Sequence, residues 1–226
     1  MTSSTRTAVH VIAFAILAAW TVRVLAYPMV DGAIGNPVTR RLFGEAVRLV
    51  LLVGLPLALI MAFERRPWRS PLGLPVGHRP VLAWTIVVAW LGMITVIDLL
   101  TNRPQPLVPG GMRIIALAIV LIGTFIGALA EEFAFRGVLL PRLLLAFGAV
   151  KGHLATAGLF VLLHWPGWLF LQGMEPSRLV IESGQLFLFG LVLGVVTVLA
   201  GSLWPAIALH AANNLLVGLV FHRSPI

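Results

Sequence analysis

From Ser183 to His222 the chain runs for 40 residues without a formal charge. About 20 apolar residues of helix cross a bilayer core of about 30 Å, so this run alone holds two crossings. Gly201-Ser202 and Trp204-Pro205 divide it into a sixth and a seventh span. The remaining blocks are fenced by charged residues in the same way. They run from Ala8 to about Val30, from about Phe43 to Phe63, from Val81 to Leu100, from Ile114 to Glu131-Glu132, and from Leu154 to Met174. Seven crossings result, and an eighth if Val138 to Phe147 enters the membrane, with Pro141 marking a kink or a fresh start.

Composition agrees, since 59% of the 226 residues are hydrophobic and 11% are charged, against about 25% charged in soluble domains. The apolar residues lack the alternation of barrel strands. The fold class expected is therefore all-α, a polytopic helical membrane protein of about seven to eight spans in a single membrane domain, 1–226. Its first block reads as a retained span because no convincing cleavage site precedes Tyr27-Pro28.

The net charge of +8 comes almost entirely from arginines standing singly or in pairs at block ends. There they meet lipid phosphates, so nucleic acid is not an expected partner. Arg65, Arg66, Arg69 and Arg79 in the Glu64 to Pro80 connector, with Arg142 and Lys151, favour a cytoplasmic second and fourth loop. The expected location is a cytoplasmic membrane, with bacterial origin suggested by Arg-heavy, Lys-poor usage. With no cysteine in the chain, thiolate chemistry and Cys-based metal sites are excluded.

Charges inside spans are costly and mark sites. Glu131 and Glu132 end an apolar block, and helix geometry puts Glu132 on one face with Arg136, four residues on, while Glu131 is turned away by about 140°. Glu132 then reads as a paired carboxylate and Glu131 as the candidate general base. His164 lies within the fifth block. His210 and Asn214 are one turn apart on one face of the seventh, in the run HAANN. Alternating spans bring these groups to a common depth. Neither HExxH nor GxSxG occurs, and Asp98 has no second intramembrane aspartate for an acid dyad. The remaining chemistry is water attack, with Glu131 as base, His164 positioning the water, and His210 with Asn214 holding the oxyanion. A zinc held by Glu131, His164 and His210 is the alternative.

In order along the chain, Glu131-Glu132-Phe-Ala-Phe-Arg136 matches EExxxR, Phe160-Val-Leu-Leu-His164 matches FxxxH, and His210-Ala-Ala-Asn213-Asn214 matches HxxxN. The chain thereby resembles the CPBP intramembrane proteases (CAAX-processing and bacteriocin-processing, also called Abi), which include the type II CAAX prenyl endopeptidases. The resemblance implies a catalytic core over residues 113–222, with 1–112 carrying no recognised motif. It implies that Glu131 activates water, that His164 is catalytic, that His210 and Asn214 form the oxyanion pocket, and that Glu132 and Arg136 support the site, which opens to the cytoplasm. The expected substrate is a peptide or protein with a hydrophobic or membrane-bound segment. No cofactor is favoured, zinc being the exception to test. The competing reading is a non-catalytic immunity or scaffolding protein of the same family.

Overall fold

Asn36-Pro37 turns the chain back after its first helix, and both residues act by local chemistry. In the computed structural model, which describes residues 3–64, 79–101 and 114–217, α1 covers Ser3–Ala33 and α2 covers Pro37–Leu49. The Asn36 side chain accepts hydrogen bonds from the Val38 and Thr39 backbone N–H groups, and Pro37 opens the helix with its fixed φ. Arg40 locks the same turn: its guanidinium donates to the Ile34 carbonyl at 3.0 and 3.1 Å and pairs with Asp31 at 2.8 Å.

Beyond α2 follow α3 (Leu55–Glu64), α4 (Pro80–Thr101), α5 (Ile114–Glu132), α6 (Leu140–Phe147), α7 (Ala149–Pro166), α8 (Pro176–Ala200) and α9 (Trp204–Leu215). No strand occurs among the described residues. Six helical segments are long and apolar enough to cross a membrane: Ala8–Ala33, Pro37–Phe63, Pro80–Thr101, Leu117–Phe147, Ala149–Leu171 and Pro176–Ala200. The expected seventh span is α9 as far as it is described. The Glu64 to Pro80 connector, the turn after Thr101 and the end of the seventh span fall largely outside the described residues. Large apolar side chains point outward from many helices, among them Phe14, Val88 and Val180, each more than two-thirds exposed. This is the surface of a protein solvated by lipid.

Three proline-associated π turns join these segments. At Val50–Gly54 the Leu55 N–H bonds back five residues to Val50, just before Pro56, which has no N–H to give. At Phe133–Leu139 the Leu140 N–H bonds to the Phe135 carbonyl just before Pro141. At Gly167–Leu171 the turn follows Pro166, and Gln172 closes it onto Gly167. Pro141 therefore neither breaks the helix nor starts a new crossing. Val138 to Phe147 is the last part of one helical segment, Leu117–Phe147, because the widened turn accommodates the missing donor.

The core forms where α5 and its π turn meet α7, α8 and α9. Phe135, Phe160, Phe189, Leu163 and Leu193 are buried there. Two glycines set the close contacts. Gly148 adopts φ 81°, a left-handed conformation that favours glycine, and turns α6 into α7. Four residues on, a Cβ at Gly152 would lie 2.8 Å from the Leu144 nitrogen, so only a glycine lets the two helices approach this closely. Gly201, at φ 62°, closes α8 by donating to the Thr197 and Val198 carbonyls, which ends the sixth span where expected.

Candidate active site

The last turn of α5 delivers two carboxylates to different neighbours. Glu132 is fully buried and pairs with Arg136, itself fully buried in the π turn, at 3.1 Å. This is the expected i,i+4 pair. The same oxygen, Glu132 Oε1, also accepts from His210 Nδ1 at 2.8 Å, a contact 78 residues away in sequence. Glu132 thus ties α5, the π turn and α9 together. The second arm of Arg136 donates to the Gly190 carbonyl of α8 at 3.0 Å. Gly190 has no side chain to obstruct this approach: a Cβ there would stand 3.4 Å from Arg136 Nη2 and 3.3 Å from the Ala157 Cβ.

Glu131 faces the other way, as the helical geometry requires. Its Oε2 stands 3.9 Å from His164 Nε2 and 3.9 Å from His210 Nε2, and it is buried without a hydrogen-bond partner. Both rings are oriented from behind. His164 Nδ1 donates to the Phe160 carbonyl at 2.9 Å, and His210 Nδ1 donates to Glu132. A ring whose Nδ1 carries the donated proton presents Nε2 either as an acceptor, when neutral, or as a second donor, as imidazolium. A separation of 3.9 Å is too long for a direct hydrogen bond and suits a bridging water.

An aromatic wall surrounds these polar groups. Phe160 lies edge-on to both His164 (ring centroids 5.0 Å apart) and His210 (5.9 Å), with the Arg136 guanidinium 4.2 Å from its ring centroid. Phe189 meets His210 from the α8 side at 5.7 Å, and Trp168 lies beside His164. Dry aromatic surroundings strengthen every electrostatic contact they enclose. Sequence reasoning placed Phe160 only as part of a motif. Its role as the common wall, and the part of Phe189, depend on inter-helix packing and have no local sequence signal.

Asn214 stands one turn beyond His210, and its Oδ1 is buried without a hydrogen-bond partner. The preceding Asn213 is 2% exposed with its Nδ2 likewise unpartnered. Sequence reasoning passed over Asn213, although two adjacent asparagines in an apolar span were a visible signal. The structure therefore brings together Glu131, Glu132, Arg136, His164 and His210, with Asn214 on the adjoining turn of α9. Trp165 is exposed and donates to Ser183 Oγ at 3.0 Å, and the π turn of the fifth span begins directly after Pro166.

For zinc, the ligand types are right, but among the described residues no group of three or more His, Asp or Glu side chains is arranged to hold a metal ion. The histidine Nδ1 atoms are engaged with Phe160 and Glu132, which leaves both Nε2 atoms facing Glu131.

Residues 113–216 match the family described as type II CAAX prenyl endopeptidase Rce1-like. The matched segment contains all three motifs and agrees with the CPBP resemblance they carry. No curated protein and no solved structure matches the chain.

Proposed function

On the premise that residues 113–216 are an Rce1-like segment of the CPBP intramembrane proteases, we propose that this integral membrane protein hydrolyses a peptide bond by glutamate-activated water. Its substrate is a membrane-associated or hydrophobic peptide. The observation that carries the proposal is the meeting of three helices: Glu131 of α5 lies equidistant from the Nε2 atoms of His164 on α7 and His210 on α9, at 3.9 Å each.

In the proposed reaction a water sits among these three atoms. Glu131 takes one of its protons while the oxygen attacks the scissile carbonyl carbon, and the carbonyl π pair moves onto oxygen. His164 Nε2 orients the water by accepting its second hydrogen. The oxyanion is held by His210 Nε2, protonated as imidazolium with Glu132 balancing its charge, and by the Asn214 amide. Collapse of the tetrahedral intermediate breaks the C–N bond, and the proton held by Glu131 passes to the departing amine. Glu132 and Arg136 are positioning residues that act through His210. No step of the proposed reaction is routed through a metal, and zinc held by Glu131, His164 and His210 is the alternative to be tested.

The proposed setting is a bacterial cytoplasmic membrane with the site reached from the cytoplasm. Catalysis belongs to 113–222, and 1–112 completes the membrane domain. Glu131→Gln tests the reading directly. It preserves shape and is expected to lower cleavage of hydrophobic peptides by at least about a thousandfold, since it removes the base and its charge, with unchanged thermal unfolding in detergent. Turnover within tenfold of wild type would overturn the assignment. Elemental analysis of the purified active protein, with a chelator titration, separates this mechanism from zinc catalysis.

A further inference from the structure

The base of the proposed reaction is a buried carboxylate whose counter-charge the three motifs do not supply. Arg136 is taken up by Glu132 and the Gly190 carbonyl, and Glu131 Oε2 is buried with no hydrogen-bond partner. An uncompensated buried charge is among the costlier features a fold can carry. Here the compensation comes from the amino-terminal half, which holds no recognised motif. Between α1 and α2 lies a cavity of about 290 Å³ lined by Arg23, Arg40, Arg41, Glu45 and Arg48 among others, and the charges of Arg48 and Arg23 both act on Glu131.

A count of charges assigns the partners. Arg40 pairs with Asp31. Glu45 pairs with Arg41 at 3.0 Å and with Arg48 at 3.3 Å, while Arg23 stacks 4.4 Å from the Trp20 ring centroid. Three guanidinium groups therefore face two carboxylates, Glu45 and Glu131, and the surplus rests on half-exposed Arg41. The deeper pair, Arg23 and Arg48, is balanced only when Glu131 is counted. Lipid headgroups do not replace it, because Arg48 lies 11 residues beyond Pro37, about 16 Å along the helix from the connecting turn.

Helix geometry places Arg48 beside the base. Gly123, Gly127 and Glu131 recur every fourth residue along one face of α5. The Arg41 guanidinium rests against Gly123, where a Cβ would stand 2.8 Å from Nη2, and Arg48 Nη1 rests against Gly127. A helical side chain leans over the turn before its own Cα. The Glu131 side chain therefore extends back over the turn of Gly127, toward the patch that the Arg48 guanidinium covers. Glycine keeps that patch open, since a Cβ at residue 127 would collide with Nη1. Arg48 makes no hydrogen bond to Glu131 Oε2, and its own Nε is buried without a partner, so it acts on the base through charge.

Resting on the peptidase reading, we propose that Arg48 is a positioning residue for Glu131, supplying from α2 the counter-charge with which a buried carboxylate acts as the base. Glu45 holds Arg48 in place, and Gly127 makes room for it. Arg48 itself touches no reacting atom. One negative charge stays in the site throughout the reaction, first on Glu131 and then on the tetrahedral oxyanion. A fixed cation about one helical turn away supports that charge in both places. The amino-terminal helices thereby contribute to turnover as well as to the scaffold.

The test uses the full-length protein in detergent and an internally quenched decapeptide of Leu and Ala with an amidated end, which offers no carboxylate to an arginine. Arg48→Gln is expected to lower kcat about tenfold or more with KM within about twofold. Arg48→Lys, which keeps the charge without the fork, is expected to recover most of that loss. Gly127→Ala, whose Cβ displaces the guanidinium while the helix gains a better helix former, is expected to lower kcat without lowering thermal stability. It serves if Arg48→Gln fails to fold. A cycle of Arg48→Gln and Glu131→Gln, read as midpoints of SDS-induced unfolding, needs no turnover. Arg48→Gln should shift the midpoint less in the Glu131→Gln background than in the native one. Additive midpoints overturn the proposal, as does a kcat within twofold of wild type for Arg48→Gln. So do an Arg48→Lys variant no better than Arg48→Gln, and a raised KM with unchanged kcat, which marks a substrate contact. Coupled midpoints with no cleavage by the native protein would remove the peptidase reading and leave the pair. Cleavage by the native protein with additive midpoints would do the reverse.

Discussion

Glu132→Leu is expected to be among the most destabilising single substitutions in the chain, because one oxygen serves two partners. Glu132 Oε1 receives Arg136 at 3.1 Å and His210 at 2.8 Å, and all three side chains are almost fully buried. Removing one partner of a buried ion pair costs about 3–5 kcal/mol, since the other charge is left without compensation. The orphaned His210 donor adds about 1–3 kcal/mol. Arg136→Met alone should cost up to about the same 3–5 kcal/mol, Glu132 keeping His210 as a partner. The double variant should recover most of both losses, because replacing a whole buried ion pair by apolar residues is often neutral. It should keep a residual cost of about 2–6 kcal/mol from His210 Nδ1 and the Gly190 carbonyl, which lose their partners at about 1–3 kcal/mol each. The assay is SDS-induced unfolding of the purified protein in mixed micelles, run as a double-mutant cycle. Near-additive losses, or a cost below about 1 kcal/mol for Glu132→Leu alone, would refute the argument that this carboxylate holds the two helices and the π turn together.

Other substitutions follow from the same contacts. Gly152→Ala should destabilise by about 1–3 kcal/mol in the same unfolding assay, because the new Cβ meets Leu144 backbone atoms that have no rotamer to escape by. Phe160→Ala should lower stability by about 3–5 kcal/mol and reduce turnover, whereas Phe160→Tyr or Trp should retain part of the cation–π contact with Arg136; equal losses in all three would contradict the wall. Asn36→Ala, which removes the cap of α2, should cost about 1 kcal/mol of stability without affecting turnover at the distant site.

The membrane class and most span boundaries were legible because they depend on local features: charge at block ends, Gly201, and apolar runs of the right length. The i,i+4 pairing of Glu132 with Arg136 was legible for the same reason. Two things were not. Pro141 read as a kink or a fresh start, because the π turn that absorbs it depends on the Phe135 carbonyl finding the Leu140 donor. The second partner of Glu132 was hidden too: helical periodicity gives a face, and only packing says which residue of a helix 78 positions away meets it. The arginine-lined cavity was readable as scattered block-end charges, but not as a cluster, since it needs α2 to lie on the glycine face of α5.

The π turn at Phe133–Leu139 also governs how the chain tolerates changes of length. Residues on both sides of it are buried: Glu131 and Glu132 before it, and Leu140, Arg142 and Leu143 after it. Deleting one residue within the turn would restore ordinary α-helical spacing and relieve no strain at Pro141. The residues after the deletion would keep their faces; losing the widened turn while keeping the residue is what would rotate everything after it by about 100° relative to the glutamates, exchanging a core-facing side for a lipid-facing one. The widened turn acts as a phase adjuster, taking up one residue so that the two buried faces stay aligned along the helix.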